Sequence, residues 1–112
     1  MTKKFKTLAM AALFLGAGAV APVAAYDTIN CQHDTGPTER AICASQRLQV
    51  LDAQVTEQYT DIMLDSHIKG EVKRALHDSQ VAFLKRRDQC GADGACLTEV
   101  MERRASRINF YR

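Results

Sequence analysis

The apolar positions of the chain fall into three helical stripes. From Thr38 to Ser66 there is neither Gly nor Pro. At about 100° per residue Ala41, Ala44, Leu48, Leu51, Val55, Tyr59 and Ile62 share one face, a stripe roughly 80° wide. Gly36-Pro37 stands just ahead of this segment as punctuation after which a helix begins, and Gly70 interrupts the chain beyond it. The spacing therefore predicts one long amphipathic helix between them. Val72, Leu76, Ser79 and Phe83 form a second stripe, which predicts a helix running to about Asp88. Leu97, Val100, Met101, Arg104, Ile108 and Tyr111 form a third. Between the last two, Cys90-Gly91-Ala92-Asp93-Gly94-Ala95-Cys96 reads as a pinched turn. No segment alternates with the period of a strand, and there is no internal repeat. The predicted fold is all-α, a small three-helix bundle on a shared apolar seam.

Four polar residues break this pattern. Asp52 lies only about 40° from the Leu48 direction on a helical wheel. Arg104 falls inside the third stripe, and Gln80 and Arg87 both border the Phe83 line. An unpaired charge in a core is costly, so these side chains should meet one another across helices or extend to solvent. The pattern predicts a structural network in which Asp52 faces Arg104 or Arg87.

Composition changes the picture at the N-terminus. The 112 residues, 46% hydrophobic and 25% charged, suit one globular domain. Lys3, Lys4 and Lys6 precede an apolar run from Leu8 to Val20, and Val23-Ala24-Ala25 follows with small residues suited to a cut after Ala25. That order is the order of a secretory signal peptide, expected over residues 1–25, ahead of a domain at 26–112. The apolar run is short for a membrane span, which needs about 20 residues. The formal charge of +2 belongs to the segment to be removed, because the remaining 87 residues hold 12 Lys and Arg against 13 Asp and Glu. That balance carries no clustered basic excess and argues against a nucleic-acid partner. Cys31 follows Thr28-Ile29-Asn30, unlike the small apolar residues ahead of a lipidated cysteine. The expected product is a periplasmic or secreted protein, soluble and without membrane attachment after cleavage. Its charge is uneven, with a net −5 over residues 26–65 and +4 over residues 66–112.

Export also decides how the cysteines are read. Cys31, Cys43, Cys90 and Cys96 are an even set in a small secreted domain, which favours two disulfides. Their spacings do not match zinc pairs. Short separation favours Cys31–Cys43 and Cys90–Cys96. So does the position of Cys43, about 140° from the Leu48 direction on the helical wheel. Four cysteines nonetheless allow three connectivities. His33, His67 and His77 form no metal motif, and Ser45, Ser66, Ser79 and Ser106 lack a nucleophile elbow. The residues argue for no metal, no cofactor and no catalytic constellation.

Taken together, the residues resemble a known family. Cys31, then Glu39-Arg40-Ala41-Ile42-Cys43-Ala44, Leu48, Leu51-Asp52 and Tyr59 resemble the opening signature of the LprI N-terminal family, the lysozyme inhibitor LprI-like domain. Gln80, Phe83-Leu84, Arg87-Asp88, Cys90, Cys96-Leu97, Arg104 and Ile108 continue it, so the resemblance spans about Cys31 to Ile108. Phe83 stands where the family commonly has Trp, and the lipid-attachment cysteine of the namesake is missing. The resemblance implies a helical, exported, disulfide-bonded protein that inhibits a lysozyme-like hydrolase. An immunity or envelope-stress module with another partner is the competing expectation. Glu39, Asp52, Tyr59, Gln80, Phe83, Arg87, Asp88 and Arg104 read as structural motif residues. Gln32 to Pro37 and Gly91 to Ala95 are the expected contact loops.

Overall fold

The computed structural model describes residues 28–33 and 36–112, so the expected signal segment lies outside the described residues. Four helices follow in order: α1 at Pro37–Cys43, α2 at Gln46–Leu64, α3 at Gly70–Gln89 and α4 at Gly94–Arg107, with a closing 3-10 turn at Ile108–Tyr111. The all-α expectation holds, and the helix count is four instead of three.

The additional helix comes from a break inside the long segment expected to be continuous. Ser45 adopts an extended conformation, and its hydroxyl accepts from the Leu48 N–H at 3.2 Å, which caps a new helix. Gln49 Nε2 donates to the Cys43 carbonyl at 2.8 Å, satisfying an end of the helix before it. The break resets the helical register. Ala44 is exposed in consequence, and α1 buries Thr38 and Ile42 instead. Along α2 the expected stripe is buried as read, at Leu48, Leu51, Val55, Tyr59 and Ile62.

The buried apolar side chains form two clusters. The larger joins Ile42 of α1, Leu48, Leu51 and Val55 of α2, Phe83 of α3, and Leu97, Met101 and Ala105 of α4. The smaller joins Tyr59, Ile62, Leu76 and Ile108, with Met63, Ile68 and Tyr111 packed at its edge. Thus the helix stripes converge on α2, which supplies both clusters. The 3-10 turn completes the smaller one by burying Ile108.

Both disulfides lie at one end of this assembly. Cys31–Cys43 fastens the N-terminal segment to the last residue of α1. Cys90–Cys96 ties the C-cap of α3 to the first turn of α4. Such links stabilise chiefly by restricting the unfolded chain, by about 3 kcal/mol for a loop of this order. That gain matters in a domain with so small a core.

Candidate functional site

The turn between α3 and α4 is built from the backbone outward. Gly91 has φ 60°, a left-handed conformation that suits glycine and ends α3, with its N–H donating to the Asp88 carbonyl at 3.0 Å. Asp93 then caps α4 by accepting from the Cys96 N–H at 3.1 Å. From the side, buried Thr38 of α1 donates its hydroxyl to the Gly91 carbonyl at 2.8 Å. A disulfide, a helix cap and this hydroxyl therefore hold one short turn. Its outer positions Ala92, Asp93, Gly94 and Ala95 are exposed.

The second stapled segment is held to the same end. Besides its disulfide, the backbone N–H of Ile29 donates to Asp52 Oδ2 at 2.9 Å. Ile29 also packs against the larger cluster. Here the structure corrects the expected pairing: Asp52 makes no ion pair with Arg104 or Arg87 within 4.0 Å. Its direct partner is a backbone group from a segment without periodicity. Burial raises the pKa of the Asp52 carboxyl, and the Ile29 N–H and then the Arg87 charge partly offset that rise. Arg87, itself buried, pairs with its neighbour Asp88 through Nη2 at 2.9 Å and Nε at 3.1 Å. Glu39 stands in the first turn of α1, where its charge favours the helix N-terminus, with its carboxylate folded against Gly36.

A second polar group joins α3 to α4. Arg104 donates to Gln80 Oε1 through Nε at 3.1 Å and Nη2 at 2.8 Å, and Nη2 also reaches Ser79 Oγ at 3.0 Å. The guanidinium lies over the Phe83 ring, 5.7 Å from its centroid. It therefore touches the larger cluster through Phe83, while Tyr59 of the smaller cluster contributes favourably to its charge. Burial lowers the Arg104 pKa, an effect that the Tyr111 hydroxyl opposes and the nearby Arg86 charge reinforces. The expectation that the polar interruptions of the stripes meet across helices holds for Arg104 and Gln80, whereas Asp52 is not the partner of Arg104 and Ser79 of the second stripe joins them. An amide oxygen opposite Arg104 on the adjacent helix takes both donors.

Among the described residues no group of three His, Cys, Asp or Glu is gathered to hold a metal ion. No helix among them is long and apolar enough to cross a membrane. What the fold and these contacts define is a small, disulfide-stapled helical scaffold that presents a fixed turn at one end. The chain belongs to the lysozyme inhibitor LprI family, whose family model matches residues 30–108. No curated protein and no solved structure matches it. The matched span contains all four cysteines and every polar motif residue described above.

Proposed function

We propose that this protein is exported and inhibits a lysozyme-like peptidoglycan hydrolase by reversible binding. Membership of the lysozyme inhibitor family over residues 30–108 carries the reading. Export rests on the signal-peptide order of residues 1–25, and two disulfides suit an oxidising compartment.

The stapled end is the surface assigned to the partner. Residues 91–95 carry no side chain larger than Asp, so the turn is narrow enough to enter a substrate cleft. Because the turn is already fixed, less conformational entropy is lost on binding. The other expected contact segment, Gln32 to Pro37, falls in sequence between the linked residues Cys31 and Cys43, with Asp34 and Thr35 outside the described residues. The acidic first half of the domain would speed encounter with a cationic hydrolase.

Titration of the exported protein against several lysozymes, followed by peptidoglycan turnover, tests the reading. Saturable inhibition at one inhibitor per enzyme is expected. If every lysozyme keeps its full rate at a molar excess of folded protein, the inhibitor reading fails.

A further inference from the structure

Four arginines line one groove of about 480 Å³. Arg86 comes from α3, and Arg103, Arg104 and Arg107 come from α4, with Glu99 and Val100 completing the lining. The single carboxylate is already engaged, since Glu99 pairs with Arg103 at 2.8 Å. Arg86, Arg104 and Arg107 have no carboxylate within 4.0 Å among the described residues.

Arg104 makes this arrangement unusual. It is only 7% exposed, yet the groups that take its hydrogen bonds are the neutral side chains of Gln80, Ser79 and Tyr111. A buried guanidinium ordinarily takes a carboxylate, because removing its charge from water is expensive. Burial and the like charge of Arg86 both work against the Arg104 charge, and what opposes them comes from the Tyr111 and Tyr59 hydroxyls, not from a carboxylate. The groove thus concentrates positive charge around a guanidinium already fixed by Gln80 and the Phe83 ring. Its volume is that of a small-molecule site, which lies at roughly 300–1,000 Å³.

We propose that this groove binds a small multivalent oxyanion. Arg104 forms its fixed floor, while the exposed Arg86 and Arg107 close on the ligand from either side. Guanidinium groups match the oxygen geometry of phosphoryl and carboxylate groups alike, so either can supply the charge. The site is independent of the lysozyme reading.

Calorimetric titration of the exported protein with pyrophosphate and with citrate, near physiological salt, tests this. Saturable binding of one anion per chain is expected. The Arg86→Gln/Arg107→Gln variant should weaken it at least about tenfold, since two charge-assisted contacts are lost. Lys73→Gln/Arg74→Gln removes the same charge outside the groove and should leave affinity within about twofold, as for screened surface charges. Tighter pyrophosphate binding identifies a phosphoryl ligand, and tighter citrate binding a carboxylate one. Absence of saturable binding by both probes, or equal weakening in the two double variants, overturns the proposal.

Discussion

Arg104 directs two guanidinium nitrogens, at 3.1 and 2.8 Å, to the single side-chain oxygen of Gln80. The pair joins α4 to α3 where the apolar surface of each helix is interrupted, so it both satisfies a buried charge and fixes how the helices meet. Gln80→Leu keeps the bulk and removes the acceptor. It should cost about 1.5–3 kcal/mol, the range for a hydrogen bond to a charged group. Urea denaturation at neutral pH should show a lower midpoint with an unchanged slope. Gln80→Glu restores an acceptor and adds the missing negative charge, so its midpoint should lie well above that of Gln80→Leu.

The stripes were legible because burial along a helix is periodic, and Leu48, Val55, Leu76, Phe83, Leu97 and Met101 are buried as their spacing predicts. The break at Ser45 was not, because Ala44-Ser45 carries neither Gly nor Pro and a capping hydroxyl leaves little trace in hydrophobicity. The buried polar residues were visible as exceptions to the stripes, and Arg104 meets Gln80 across helices as such exceptions should, but the partner of Asp52 was not visible. Pairing depends on which helices adjoin, and for Asp52 it depends on Ile29, which lies in a segment with no pattern to read.

Asp52 should make stability depend on pH. Its folded-state pKa is raised above the ordinary value of 3.8, chiefly by burial. The folded chain therefore holds this proton more tightly than the unfolded chain does. The resulting contribution is full below the unfolded pKa and is lost as pH rises through the folded one. Asp52→Asn keeps an oxygen for the Ile29 N–H and does not titrate. Measured by urea unfolding across the acid range just above pH 3.8, the wild type should gain stability relative to this variant as pH falls. A gain in the opposite direction would mean that the Ile29 N–H and the Arg87 charge together outweigh burial. Asp52→Ala removes both the acceptor and the titrating group, so it should cost about 1 kcal/mol, with the larger loss at the acid end of this range.

Gly91 and Thr38 define how firmly the α3–α4 turn is held. Gly91→Ala places a side chain on a residue with φ 60°, where it meets no neighbour but strains its own backbone. The expected loss is about 1–2 kcal/mol, the usual cost of left-handed backbone for an L-residue. Thr38→Val preserves shape but leaves the Gly91 carbonyl without its hydroxyl donor, at a cost of about 1 kcal/mol. Amide exchange in residues 91–95 should accelerate in both variants. Equal exchange in Thr38→Val and wild type would show that the disulfide and the Asp93 cap hold the turn without this hydroxyl.

The two disulfides should separate stability from recognition. Cys31→Ala/Cys43→Ala and Cys90→Ala/Cys96→Ala open loops with sequence separations of 12 and 6. Each should lower stability by about 2–3 kcal/mol, with the longer loop losing slightly more. Their effects on inhibition should rank the other way. Removing Cys90–Cys96 frees the narrow turn assigned to the hydrolase cleft, so ordering entropy must then be lost on binding. Removing Cys31–Cys43 leaves that turn capped by Asp93 and held by Thr38. Inhibition constants should be measured at a temperature where circular dichroism shows both variants folded. A larger loss of inhibition in the Cys90→Ala/Cys96→Ala variant supports the turn as the contact element. If inhibition instead follows stability in both variants, or falls further in Cys31→Ala/Cys43→Ala, the contact lies on the N-terminal segment or elsewhere on the scaffold.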